Sequence, residues 1–385
     1  MKRIISLILI LVFLAGCSVV DEPQHAAPVP SEICAVWIYF SELSMADVNG
    51  GTEKKFREKT SEMFKNCKNM GINTIFYHVR PYCDAFYKSE IFPWSAYLTG
   101  TQGRAVAYDP LEIACEIAHE KGLTLHAWLN PFRISSNGDV SKLSSDNPAL
   151  KWINSNSHDV VMLDNGIYFC PASPDAQKLI VDGVREIVEN YDVDGIHIDD
   201  YFYPSVDEKV DKSFYDEYRK SGGELKLSDW RLNTVSAFVS SMYSAAKSVS
   251  SDCIFSISPA GNIKNNYEEQ FADVKLWLKN RGYADWIIPQ LYYGYDGDIL
   301  PFDNACDAWS RLEALSDIKM IYGIAAYKVN DSDDEWNAGS GIIAKQLDYV
   351  RTKNNCSGAA FFSYSSLTDK NKLSEFTCIK DKVLS

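Results

Sequence analysis

Short apolar runs and longer amphipathic stretches alternate eight times between residue 33 and the C-terminal end. The runs read as strands buried on both faces, and the stretches between them as helices with one apolar stripe. Cys34–Phe40, Asn73–Pro81 and Leu123–Phe132 are the first three predicted strands. The fourth opens at Asp194 and alternates Ile196 and Ile198 with His197 and Asp199. Cys253–Ser258, Asp285–Tyr293, Lys319–Lys328 and Gly358–Tyr364 complete the set.

The helices carry their own punctuation. Glu53–Met70 spaces Phe56, Met63, Phe64 and Cys67 along one face, and Gly71 is a stop signal. Asp109-Pro110 and Ser173-Pro174-Asp175 each supply an N-cap followed by a first-turn proline. Further helices are expected at 228–249, 268–280, 302–316 and 340–354, with a terminal one starting near Thr368-Asp369. Two connections are long, 133–173 and 205–227, and the first carries a predicted hairpin, Val160–Cys170, around Asp164-Asn165-Gly166.

Eight strand–helix units without a composition break predict an α/β fold, a (β/α)₈ TIM barrel. An open doubly wound sheet is the alternative. It fits less well, because no glycine-rich loop follows the first strand and no Walker motif occurs.

The N-terminus adds a different signal. Lys2 and Arg3 precede an apolar run from Ile4 to Leu14, too short to span a bilayer as a mature helix. Leu14-Ala15-Gly16-Cys17 then matches a lipobox. Residues 1–16 are expected to be a lipoprotein signal peptide, with Cys17 lipidated and anchoring the chain to a bilayer outside the cytoplasm. Residues 17–32 are polar and proline-rich, as in a flexible tether, and 33–385 form the barrel domain.

Composition narrows the partner classes. A net charge of −14 argues against nucleic acid, since phosphate binding needs a basic face. Beyond Cys17, the cysteines show no paired spacing, and most are expected to be buried small hydrophobes. Aromatics, including 22 Tyr and 9 Trp, fall often at strand ends, where they would form a stacking surface.

In a barrel the residues just past the strand C-termini converge on one site. Here they include Trp37, Tyr39, His78, Arg80, Trp128, Asn130, Asp199, Asp200, Tyr201, Gln290, Tyr292 and Tyr327. Carboxylates among aromatic plates suit glycoside hydrolysis. Adjacent Asp199 and Asp200 cannot both ionise freely, which splits their pKa values. Side chains of neighbours in a strand point to opposite faces, so Asp200 reaches substrate only if the chain turns there. Other readings stay open: the pair could ion-pair with Arg80 as structure, or hold a divalent ion with Asn130 and His78. No His/Cys cluster has metal-site spacing, and neither a metal nor a cofactor is expected. His126 and His197 lie deep in their strands and read as satisfied core residues.

These strand ends resemble those of the glycosyl-hydrolase-like family 10, bacterial envelope lipoproteins. The stretches that carry the resemblance are Val79-Arg80-Pro81, Asp84-Ala85-Phe86-Tyr87, Pro93-Trp94-Ser95, Leu98-Thr99-Gly100, His126–Pro131, Asp194–Pro204 and Pro289–Tyr292. The resemblance implies a TIM-barrel hydrolase, and a member of that family digests peptidoglycan glycan strands stripped of stem peptides. A more distant likeness links Asp194, Gly195 and Asp199 to the fourth-strand motif of chitinase-type family 18. That motif departs here at His197, in place of an Asp, and at Tyr201, in place of the catalytic Glu.

The expected function is therefore a glycoside hydrolase acting on cell-wall polysaccharide, with Asp199 and Asp200 catalytic. Trp37, Arg80, Trp128, Asn130, Gln290 and Tyr292 are the expected substrate contacts, and Asp84 and Asp296 the reserve carboxylates. The alternatives are a non-catalytic glycan-binding lipoprotein and a solute-binding lipoprotein.

Overall fold

The computed structural model describes residues 32–296, 300–330 and 334–383. Eight parallel strands close into a barrel. They are β1 Ile33–Ile38, β2 Thr74–Arg80, β3 Thr124–Leu129, β4 Gly195–Ile198, β5 Ile254–Ile257, β6 Trp286–Ile287 with Gln290–Leu291, β7 Lys319–Ile324 and β8 Cys356–Phe362. Each pairs with the next, and β8 returns to β1 with Gly358 opposite Ile33.

The period-2 alternation of each strand divides the core into two layers. Ile33, Ala35 and Trp37 of β1 point into the barrel, where they meet Phe76, Trp128, Trp286, Ile321 and Ala360. Cys34, Val36 and Ile38 point outward into a larger cluster beneath the helices. With both faces covered, β1 to β3 are buried at every position, as expected where helices sheathe a parallel sheet.

The main helices after the first four strands are α1 Glu53–Asn69, α2 Pro110–Glu120, α3 Pro174–Asn190 and α4 Leu227–Val249. The first three are capped by side chains. Thr52, Asp109 and Ser173 accept backbone N–H groups of the first turns, and proline opens α2 and α3.

Three expectations are revised. The sixth strand is split, because Pro289 has no N–H to give to the ladder; Gly323 N–H donates to its carbonyl instead, at 2.9 Å. The helix expected at 268–280 is two helices, Ile263–Glu268 and Val274–Lys279. Between them Phe271 adopts a left-handed φ of 52°, and Ala272 N–H donates to the Asn266 carbonyl at 2.7 Å. The terminal helix starts at Leu373, after a short turn of helix at Tyr364–Thr368.

The hairpin in the long third connection is present, with strands Val160–Leu163 and Gly166–Phe169. It carries a third, unanticipated strand, Arg133–Ser135, which pairs with Gly166–Phe169. Cys34, Cys67, Cys83, Cys115, Cys170, Cys253 and Cys306 are buried thiols. Cys17 lies outside the described residues.

Candidate active site

β4 carries two kinds of side chain. Ile196 and Ile198 join the outer apolar layer. His197 points inward, where its ring stacks on Phe76 at 4.1 Å. The Trp37 indole N–H donates to His197 Nε2 at 2.9 Å. Nδ1 therefore carries the proton, and it donates to Ser256 Oγ at 2.9 Å. Burial holds the His197 pKa well below its usual value, so the ring is neutral. His126 beside it is likewise depressed by burial, to about 4. Both histidines are satisfied core groups. Gly195 is needed for close approach, since a Cβ there would lie 2.6 Å from the Ile254 carbonyl.

The strand stops at Ile198 and the chain turns. Tyr201 N–H donates to Asp199 Oδ1 at 3.3 Å, and Phe202 N–H to the Asp200 carbonyl at 3.0 Å. An aspartate that accepts from two residues on forms a local turn. This turn lets both adjacent carboxylates line one cavity. The loop beyond is stapled by a buried network. Arg231 of α4 meets both Asp211 oxygens, at 2.6 and 2.7 Å. The Tyr203 hydroxyl donates to Asp211 at 2.8 Å, and Arg231 also donates to the carbonyls of Val206 and Asp207.

The cavity holds about 280 Å³ and opens at the C-terminal end of the barrel, close to the lower end of ligand pockets at roughly 300 Å³. Trp37 and a Trp128–His78 stack, with centroids 3.6 Å apart, form its floor. Tyr39, Phe40, Tyr292 and Phe362 make the walls, and Tyr201 and Tyr327, both more than one-third exposed, stand at the rim. Several buried polar atoms of the lining have no protein partner within hydrogen-bond geometry: Trp128 Nε1, both His78 ring nitrogens, Asn130 Oδ1 and Arg133 Nε. Buried polar atoms are rarely left unpaired, so this lining is suited to water or to a polar ligand.

The two carboxylates differ in environment. Asp199 is 4% exposed. Burial, and then the charge of Asp200, push its pKa well above the usual range, against the opposing influence of the Tyr201 N–H, Arg133 and the Trp128 indole. Asp200 is half-buried. Burial raises its pKa too, and it is partly held down by Gln290, whose Nε2 donates to Asp200 Oδ1 at 3.2 Å and to the Ser258 carbonyl at 3.0 Å. Burial raises both carboxyls, and the charge of Asp200 adds to the rise at Asp199.

Of the expected site residues, Trp37, Trp128, Asn130, Asp199, Asp200, Gln290 and Tyr292 all line the cavity. Arg80 does not, and its expected role in holding substrate is corrected. A register shift between His78 and Arg80 turns its side chain aside. It is fully buried, stacks over Phe92 at 4.9 Å and donates to the carbonyls of Tyr82 and Pro131, so it clamps two loops together. It forms no ion pair with Asp199 or Asp200 either. The reserve carboxylates also lie off the cavity. Asp84, raised to about 6 by burial, accepts from Ala96 and Gln102, and Asp296 is exposed. No group of three or more His, Cys, Asp or Glu side chains suited to a metal occurs among the described residues.

Among the described residues the cation on the cavity wall is Arg133, which sequence reasoning missed together with Phe40 and Phe362. Its position was signalled only faintly, by Asn130-Pro131-Phe132-Arg133 running on directly from β3.

Residues 32–338 match the family described as Glycosyl hydrolase-like 10. Residues 1–18 match the prokaryotic membrane lipoprotein lipid attachment site, so the chain is lipid-anchored outside the cytoplasm. The chain is 32% identical over 383 residues to glycosyl hydrolase YngK of Bacillus subtilis (strain 168), covering 93% of this chain and 73% of that one. It is 32% identical over 328 residues to glycosyl hydrolase DigH of Escherichia coli (strain K12), covering 77% and 72%. Among solved structures, the PgaB (BpsB) glycoside hydrolase domain from Bordetella bronchiseptica superposes with a TM-score of 0.63 at 12% identity, covering 90% of this chain and 98% of that one. The catalytic domain of β-amylase from Paenibacillus polymyxa gives 0.59 at 12% identity, covering 94% and 100%. At such identities these two likenesses concern the fold.

Proposed function

The chain belongs to the glycosyl hydrolase-like 10 family, and from that premise we propose that it hydrolyses glycosidic bonds of cell-wall glycan, specifically peptidoglycan glycan strands. The observation that carries this reading is the adjacent pair Asp199 and Asp200, both with raised pKa, in an aromatic-lined cavity at the end of β4.

Hydrolysis needs one proton donor for the departing oxygen and one negative charge near the anomeric carbon. Asp199, deeper and more strongly raised, is the acid that protonates the leaving oxygen as the glycosidic bond breaks. Asp200, steadied by Gln290, is the carboxylate that faces the positive charge developing on the ring. Water supplies the new hydroxyl, and the proton it sheds goes back to the carboxylate pair, which restores the acid. Trp37 and Trp128 give apolar surface for the sugar face, and Asn130, Gln290 and Tyr292 offer hydrogen bonds to hydroxyl or acetamido groups. Removal of residues 1–16 and lipidation of Cys17 would leave residues 17–32 as the tether that carries the barrel to the wall.

The test is incubation with purified, peptide-free glycan strands, with chitin and an α-glucan as controls. Release of soluble sugar that disappears in Asp199→Asn and in Asp200→Asn, with both variants folded, supports the reading. Undiminished release in both variants removes these carboxylates from the mechanism. Binding without release from any glycan would instead identify a glycan-binding lipoprotein.

A further inference from the structure

β8 and β1 are the neighbouring pair in the barrel that no crossover of chain joins, because they are its last and first strands. Their backbone ladder ends with Trp37 opposite Phe362. Just beyond it the carboxylate of Glu42 takes over. Its Oε2 accepts the Tyr39 N–H on the β1 side, at 2.9 Å. Its Oε1 accepts the Ser365 N–H at 2.6 Å and the Ser363 hydroxyl at 3.0 Å, both on the β8 side. The Glu42 N–H donates to the Tyr39 carbonyl at 2.9 Å, which closes the first loop into a tight turn.

The segments held this way carry part of the cavity wall. Tyr39 and Phe362 both line it, and their rings stack at 5.9 Å and 27°. Phe362, which Ser363 follows directly, also meets Trp37 at 6.1 Å, Tyr292 at 5.9 Å and Tyr327 at 6.0 Å. Glu42 itself lies outside the cavity, in the wall of a separate groove of about 550 Å³ beside Lys59 and Tyr364. Burial raises its pKa, and the Ser365, Tyr39 and Ser363 donors hold it down. Hydrogen bonds to an ionised acceptor are roughly twice as strong as neutral ones. Releasing either loop would leave a buried charge poorly met, so the carboxylate keeps both in place.

We propose that Glu42 is a positioning residue for the hydrolysis: by tying the loop after β1 to the loop after β8, it fixes the Tyr39–Phe362 wall against which the sugar ring rests. This rests on the glycan reading above and deepens it. The carboxylate acts only through the two rings. A wall that supports the sugar face serves the ground state and the transition state alike. Loosening it therefore raises KM and leaves kcat in place.

The test is steady-state kinetics on peptide-free glycan strands with Glu42→Gln, which keeps the shape of the side chain but loses its charge and one acceptor. KM should rise about tenfold while kcat stays within about twofold of wild type. Ser363→Ala, which removes one of the three donors, should raise KM about threefold with kcat again unchanged. A second readout needs no substrate. With 4-fluorophenylalanine placed at position 362, the fluorine NMR signal should shift or broaden in Glu42→Gln. An unchanged KM in both variants, with hydrolysis by the wild type intact, overturns the proposal alone. A lower kcat at unchanged KM also overturns it, since that loss would belong to the transition state. If the wild type hydrolyses no glycan, the glycan reading fails; an unchanged fluorine signal then overturns this proposal too, and a shifted one still supports Glu42 as the clasp. Ser363→Ala perturbs the clasp least, so poor folding of Glu42→Gln would not shield the proposal.

Discussion

Replacing Asp199 by Asn should make the protein inactive and more stable, and the gain in stability should grow with pH. An aspartate in an unfolded chain titrates near pH 3.9, roughly its free value. In the folded protein burial raises the Asp199 pKa well above that, Asp200 adds repulsion, and Arg133, the Tyr201 N–H and the Trp128 indole only partly offset both. The native state thus holds this proton more tightly than the unfolded state. Native stability must fall as pH rises from the unfolded pKa towards the folded one. Below about pH 4 both states are protonated and the effect vanishes. Asn is neutral throughout and keeps the oxygen that accepts from Tyr201, so the variant escapes the loss. Each tenfold weakening of the acid equals about 1.4 kcal/mol. An unfolding entropy of about 2.1 cal/mol/K per residue over roughly 350 residues gives about 0.7 kcal/mol/K. Each such tenfold is therefore about 2 °C of Tm. The assay is scanning calorimetry of both proteins from pH 4 to pH 8, alongside kcat, which should fall about 10²–10⁴-fold through loss of the general acid. A Tm gap equal at pH 4 and pH 8, or a variant less stable than wild type at pH 8, would refute the reasoning.

Asp211→Ala should cost about 3–5 kcal/mol, because it strands the buried Arg231 charge; calorimetry should show Tm lower by about 4–7 °C, and the loop carrying Tyr201 and Tyr203 should become protease-sensitive. Gln290→Leu removes the donor that lowers the Asp200 pKa. The acidic limb of its kcat/KM–pH profile should shift to higher pH, and an unshifted limb would show that Asp200 does not titrate in the reaction.

The barrel was legible because each strand is a buried run that the next helix signal closes off. Its ends were legible because Asp199, Asp200, Asn130 and Gln290 follow such runs directly. What stayed hidden depends on contacts between distant segments. Pro289 could be read as a local break, but not the way β7 compensates for it. Arg80 closes β2 and Arg133 follows the end of β3 by four residues, and spacing could not rank them. The bulge in β2 buries the first among loop carbonyls, and pairing with Gly166–Phe169, more than thirty residues away, lifts the second over the cavity. Asp200 joins the cavity through a local turn closed by the Tyr201 and Phe202 N–H groups, which a strand pattern does not encode.

The most direct test of the central claim is mass spectrometry of the products formed from peptide-free glycan strands in water enriched in oxygen-18. Hydrolysis through Asp199 and Asp200 predicts that every newly formed reducing end carries one heavy oxygen, and that the Asp199→Asn protein forms such ends at least about a hundredfold more slowly. New reducing ends without the label, or labelled ends formed equally fast by the variant, would contradict it.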